Sequence, residues 1–109
     1  LAFQPDALVD LPILPIEDVE TSYYLRLHAL DKPGVLAEVT RILADLNISI
    51  ESILQKEPRP NEETVPVIIL TQRVREKNMN EAIARIEKLS SIKDKVARIR
   101  LEHLNPDWK

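Results

Sequence analysis

Apolar and polar residues alternate along residues 22–30, which predicts a strand with one apolar face. A polar turn over 31–34 separates this strand from a run with helical spacing, and Asn47 ends that run. The apolar positions are Tyr23, Leu25, Leu27 and Ala29 in the strand and Val35, Leu36, Val39, Ile42, Leu43 and Leu46 in the helix.

Two further strands follow, separated by a polar loop over 56–63. Residues 48–52 alternate as a strand, but the apolar positions change phase at Ile53 and Leu54, which predicts a bulge or twist before Gln55. The next strand, 65–72, is apolar on both faces, so we expect both faces to be covered. Its two faces carry Val65, Val67 and Ile69 on one side and Ile68 and Leu70 on the other.

The last two elements are a helix over 76–90 and a strand over 96–102. The apolar stripe of the helix consists of Met79, Ala82, Ile83, Ile86 and Leu89. In the strand, the alternation predicts that Ala97, Ile99 and Leu101 point inward and that Arg98, Arg100 and Glu102 point outward.

The order strand, helix, strand, strand, helix, strand predicts an α+β fold of the ferredoxin-like βαββαβ type. In this fold a four-stranded antiparallel sheet carries two helices on one face. We expect the domain to span 22–104, with a tail over 105–109.

Residues 1–21 contain three prolines among isolated apolar residues, a pattern that excludes a continuous helix or a central strand. We expect an extended linker; a disordered tail is the alternative from composition. Since the chain begins at Leu1 rather than methionine, we expect it to be a fragment. The linker's apolar residues are expected to pack on this domain or on an absent one: Leu11, Ile13, Leu14 and Ile16.

Composition excludes several classes of function. The length of 109 residues suits one domain. The absence of cysteine removes disulfides and thiolate chemistry and fits a reducing compartment. The net charge of −3, with both signs interspersed, argues against nucleic-acid binding, and the apolar runs are far shorter than the roughly 20 residues that span a bilayer. We therefore expect a cytoplasmic protein that contacts neither nucleic acid nor membrane.

Catalytic and cofactor motifs are not found in the sequence. Gly34 is the only glycine, whereas a dinucleotide-binding turn or a P-loop needs several. His28 and His103 have no neighbour at metal-ligand spacing, and no serine has the context of a nucleophile. We expect no catalytic residue, no metal and no cofactor in this chain.

Four segments of the chain carry a resemblance to a known family: YYLRL at 23–27, DKPGVL at 31–36, ISIESILQ at 48–55 and VPVIILT at 65–71. Together they resemble the ACT domain that ends bacterial homoserine dehydrogenases, over about residues 23–102. The DKPGVL segment alone is typical of ACT domains in general, whereas the two later segments indicate homoserine dehydrogenase. LPILPI at 11–16 resembles that family's connector to its catalytic part, which implies that residues 1–21 are a linker from an absent catalytic domain.

The resemblance implies feedback control. The catalytic part of such enzymes reduces aspartate semialdehyde to homoserine with NAD(P)H, and the ACT domain is associated with inhibition by threonine. We therefore expect a small amino-acid effector, threonine in particular, with NAD(P) confined to the absent catalytic domain.

The residues themselves favour an effector site at the start of the first helix. Backbone N–H groups of Gly34, Val35 and Leu36 would face a ligand carboxylate at the positive end of the helix dipole. Asp31 would accept hydrogen bonds from the ammonium group, although it would serve equally as a helix cap. By family resemblance, Gln55 reaches an effector held between two ACT units; the alternative is a solvated residue at the mouth of a hairpin.

The resemblance has one departure, at Gln72, where many relatives carry histidine, so any role of this position is open.

We expect a homodimer, because the sheet has one face without helices and two exposed edges. Two other classes compete with a regulatory domain: a free-standing ACT-like binding protein and a ferredoxin-like interaction module. The proline-containing linker favours the regulatory domain.

Overall fold

The computed structural model describes residues 19–101, which form five strands and two helices. The expectations for the linker, the tail and His103 lie outside the described residues. Within the described range, neither helix is long and apolar enough to cross a membrane. The elements are β1 (Glu20–Leu30), α1 (Val35–Asp45), β2 (Ile50–Gln55), β3 (Thr64–Thr71), β4 (Val74–Arg75), α2 (Glu76–Glu87) and β5 (Ile92–Leu101).

Strand β1 is central in the sheet. It pairs antiparallel with β3 on one side and with β5 on the other, and β2 pairs antiparallel with the far side of β3. The order β2-β3-β1-β5, with the helices on one face, confirms the predicted ferredoxin-like fold. The two-residue strand β4, which was not predicted, pairs with β1 through Glu20 opposite Arg75 and Thr21 opposite Val74.

The core lies between the helices and one face of the sheet. The predicted apolar face of β1 is fully buried there, together with Val65, Val67 and Ile69 of β3 and the stripe of α2 that includes Met79 and Ile86. The opposite face of β3, which was expected to be covered as well, has no cover within the described residues. Its Ile68 and Leu70 are only half-buried, and neither helix lies over them.

Both ends of α1 are set by backbone conformation. Gly34 precedes the helix with φ 87°, in the left-handed region where a Cβ is unfavourable. Asn47 ends it with φ 59°, and its N–H donates to Ala44 O at 3.0 Å, while the N–H of Ile48 donates to Leu43 O at 2.9 Å. This left-handed ending is common where glycine or asparagine follows a helix, so the predicted end at Asn47 is confirmed.

Several predicted boundaries were wrong by a few residues. Strand β1 starts at Glu20 rather than residue 22, and α2 stops at Glu87 rather than residue 90. By contrast, the register of β2 against β3 shifts between Ile50 and Ser52, which confirms the irregularity predicted before Gln55. Strand β5 starts at Ile92 instead of residue 96.

The predicted orientation of β5 was also wrong. Arg98 and Arg100 lie opposite the buried Leu25 and Tyr23, on the helix-covered face, whereas Ile99 is 57% exposed on the other face. Ala97 is exposed and Leu101 half-buried on that same face. The reason is that α2 offers polar partners at the edge of the sheet: Arg98 donates to Asn80 Oδ1 and Arg100 to the Glu76 carboxylate.

Candidate functional site

A cavity of about 180 Å³ lies between the start of α1 and the ends of β1, β2 and β3. This is below the roughly 300–1,000 Å³ of sites for drug-sized ligands, so the cavity suits a molecule of a few heavy atoms. Four of the five predicted effector residues line it: Gly34, Val35, Leu36 and Gln55. The other lining residues are Ala29, Leu30, Lys32, Ala37, Val65 and Val67.

The first turn of α1 supplies hydrogen-bond donors to this cavity. The first N–H groups of any helix have no acceptor within the helix. Within the part of the chain that the structure describes, no side chain caps the start of α1. A Cβ built on Gly34 meets no heavy atom within 4 Å, so the backbone is open to an approaching molecule there. The geometry favours an anion at this end of the helix dipole.

Gln55 reaches the cavity from the opposite side. It is the last residue of β2 and pairs with Val67, whose side chain is buried on the helix-covered face of the sheet. Since paired residues share a face, the Gln55 amide lies on the same side as α1. An amide carries both an acceptor and donors, so it can bind either polar end of an amino acid.

Asp31 lies apart from the other predicted site residues. It is exposed, it does not line the cavity, and the alternative role as a helix cap does not occur either. Its backbone N–H makes only a long contact of 3.5 Å to Glu63 O. A contact between Asp31 and an ammonium group therefore stays a prediction.

Sequence reasoning missed Lys32. Among the described residues, it alone brings a charge to the lining of the cavity. The signal was present in the sequence, because Lys32 belongs to the same turn as Asp31 and lies two residues before Gly34.

Comparison with known proteins identifies the family. The family model described as "ACT domain" matches residues 23–90, more than half of the chain. The chain belongs to the ACT domain family.

The relatives of this ACT domain are much longer proteins. A homoserine dehydrogenase of Methylobacillus glycogenes is 60% identical over 105 residues, covering 96% of this chain and 26% of the relative. A homoserine dehydrogenase of Pseudomonas aeruginosa is 55% identical over 105 residues, covering 96% of this chain and 24% of the relative. The crystal structure of a homoserine dehydrogenase from Thiobacillus denitrificans superposes with a TM-score of 0.80 at 57% identity, covering 93% of this chain and 22% of that one. The chain thus spans about a quarter of the length of these relatives.

A second polar cluster in this ACT domain lies away from the cavity. The carboxylate of Glu76, at the start of α2, accepts hydrogen bonds from the Tyr23 hydroxyl and from the Arg100 guanidinium. These bonds, that from Arg100 first, lower the pKa of Glu76 to about 2, while burial and the neighbouring carboxylate raise the pKa of Tyr23. The cluster joins β1, α2 and β5 and is a structural feature.

Two further candidates from the sequence, a metal site and Gln72, can be assessed among the described residues. Within residues 19–101, no three His, Cys, Asp or Glu side chains lie together in a way that would hold a metal ion. Gln72 is exposed, and its backbone N–H donates to Ser49 O at 2.9 Å. Any role of its side chain stays open.

Proposed function

We propose that this ACT domain is the amino-acid-sensing regulatory part of a homoserine dehydrogenase, with threonine as its effector. The cavity between the start of α1 and Gln55 carries the proposal, because it joins helix N–H donors and an amide within a space that suits a small amino acid. The identity to homoserine dehydrogenases over nearly the whole chain supports the parent enzyme. In that enzyme the absent catalytic part would bind NAD(P) and reduce aspartate semialdehyde to homoserine.

The lining of the cavity suggests how the amino acid is oriented. Its carboxylate faces the N–H groups of the first turn of α1, and Lys32 adds a second positive charge beside them. The carbonyl oxygen of Gln55 accepts a hydrogen bond from the ammonium group. The side chain of the amino acid packs against Val65 and Val67, where a methyl group is favoured over a charge.

A homodimer through the β2 edge follows from the same site. Strand β2 pairs only with β3 among the described strands, and its Ile53 and Leu54 are 37% and 55% exposed. A second copy added at this edge would pair the free backbone groups and bury these side chains. It would also approach Gln55, so that the effector senses the packing of two ACT domains.

Regulation then requires different effector affinities in two packings of the pair. A ligand shifts an equilibrium only by the difference in its affinity for the two states. A coupling of about 1–3 kcal/mol corresponds to roughly 5–150-fold control of the attached catalytic parts.

The parent enzyme provides the test. Valine at position 34 would be strained at φ 87° and would place a side chain where the carboxylate is proposed to bind. The Gly34→Val enzyme is expected to remain active and to lose inhibition by threonine. Val39→Ala, at a buried position of α1 that does not line the cavity, serves as the control for the stability of the domain. Full threonine inhibition of the Gly34→Val enzyme would contradict the proposed site.

A further inference from the structure

The face of the sheet opposite the helices, here called the open face, is apolar along its central rows. Tyr24 lies between Leu70 of β3 and Ile99 of β5, and Leu54 lies opposite Ile68. Leu54 and Ile99 are 55% and 57% exposed, and the other three side chains are half-buried. Contiguous apolar side chains of this kind usually mark an interaction surface.

The positively charged Arg26 lies in the middle of this apolar surface. Its strand partners are Ile68 and Ala97, neither of which is acidic. The side chain of Arg26 is exposed and makes no hydrogen bond or ion pair with any residue in the range 19–101. Lys93, opposite His28, adds a second positive charge to the same face. An occupant of the open face therefore has to be apolar and to carry carboxylates.

The segment that precedes β1 has this composition. Residues 1–18 contain no lysine or arginine. Residues 11–16 would span roughly 20 Å at about 3.3 Å per residue, about the length of β1 from Tyr24 to Leu30. Its apolar residues Leu11, Ile13, Leu14 and Ile16 alternate with prolines and stand among four acids, Asp6, Asp10, Glu17 and Asp18.

We propose that residues 10–18 pack on the open face of their own chain. Their apolar side chains cover Tyr24, Leu70 and Ile99, and their carboxylates pair with Arg26 and Lys93. Prolines at 12 and 15 lack the N–H that a sheet strand donates, so the contact is made by side chains over the face and not by an added strand at an edge. Since Val19 leads directly into β1, no additional connection is needed.

Two other occupants fit less well. A second copy related by two-fold symmetry would bring Arg26 and Lys93 of both chains to one interface. The described residues that pair on this face between β1, β2, β3 and β5 include no acid, and like charges in direct opposition are destabilising. The segment after β5, residues 102–109, is shorter and carries Lys109.

Paramagnetic labelling of the full chain tests the proposal, because the sequence has no cysteine that would compete for the label. A nitroxide is attached through Val9→Cys, next to the docking residues. The amide signals of Tyr24, Arg26 and Leu70 are expected to lose intensity, while those of Arg41 and Arg85 on the helices keep theirs. Equal loss on both sides of the sheet, or no loss, would overturn the proposal.

Charge and identity of the occupant are tested with matched variants. Arg26→Glu is expected to abolish the intensity loss on the open face, and Arg41→Glu, an exposed arginine of α1, to leave it unchanged. The double substitution Ile13→Ser and Leu14→Ser, in the proposed docking segment, is expected to abolish this intensity loss too. If the open-face signals lose intensity only in a mixture of spin-labelled chains with isotope-labelled, unmodified chains, the occupant is a second copy. If they lose intensity with a label at Asn105→Cys but not with the label at Val9→Cys, the occupant is the tail. Either result overturns the proposal.

Discussion

Arg100 and Glu76 form a two-point ion pair between β5 and α2. Nε of Arg100 donates to Oε1 of Glu76 at 2.7 Å, and Nη2 donates to Oε2. The Glu76 side chain is only 8% exposed, and the buried Tyr23 hydroxyl donates to the same carboxylate. Such a carboxylate is costly to bury alone, so its two partners fix the position of α2 on the sheet.

The stability of the domain should therefore depend on pH through Glu76. Its pKa in the fold, about 2, lies below the ordinary value of 4.5, so the stabilisation is present above pH 4.5 and is lost as the pH falls towards 2. In urea unfolding, Glu76→Gln is expected to cost about 1–3 kcal/mol at pH 7 and to flatten the decline of stability below pH 4.5.

Glu81→Gln is the matched control for this prediction. Glu81 pairs with Arg85 on the surface of α2, where the two side chains are 53% and 47% exposed. Exposed pairs of this kind are worth at most about 1 kcal/mol. Identical acid profiles for Glu76→Gln and the unmodified chain would contradict the assignment of the pH dependence to Glu76.

The two neighbouring tyrosines of β1 provide a second comparison. Tyr23→Phe removes one hydrogen bond to Glu76 and should reduce the free energy of unfolding by about 1 kcal/mol. Tyr24, on the open face, makes no hydrogen bond through its hydroxyl within the described residues, and Tyr24→Phe should be nearly neutral. Thermal or urea unfolding of the two variants measures the difference, and equal losses would show that the Tyr23 hydroxyl adds nothing.

Sequence reasoning predicted most of the fold but not the orientation of β5. The fold followed from periodicity, since β1, β3 and both helices each bury one regular set of apolar side chains. The prediction of which β5 side chains point inward was wrong for two reasons. Both faces of this strand carry apolar side chains, and α2 supplies Glu76 and Asn80 as partners for arginines on the inner face. A left-handed Asp94, with φ 63°, accompanies an irregular register early in β5 that alternation does not reveal.

The candidate site was predictable in part. The turn at Gly34 and the end of β2 at Gln55 were named from sequence, and the fold brings them to one cavity. Lys32 lines the cavity and Asp31 does not, a difference between two adjacent residues of one turn that local sequence does not specify.

Lys32 should contribute to effector binding through its charge. Lys32→Gln is expected to weaken threonine binding several-fold and to make the remaining affinity less sensitive to salt, because one attraction to the carboxylate is removed. Lys77→Gln, an exposed lysine on α2, is the control and should bind like the unmodified chain. The dissociation constants are measured at two salt concentrations. Unchanged affinity and salt dependence in Lys32→Gln would exclude this lysine from the site.

The oligomeric state tests the role of the β2 edge. We expect a dimer in light scattering at tens of micromolar, and we expect Leu54→Glu together with Ile53→Glu to shift the chain towards monomer. Ile99→Glu, on the far side of the sheet, should leave the dimer intact. A monomeric unmodified chain would contradict the proposed interface.

Calorimetric titration of the full 109-residue chain with the twenty amino acids tests the central claim most directly. We expect saturable binding of threonine that is lost in Gly34→Val and weakened in Gln55→Ala, with both variants still folded by circular dichroism. Binding of no amino acid, or threonine binding that both variants retain at full affinity, would contradict an effector site between the start of α1 and Gln55.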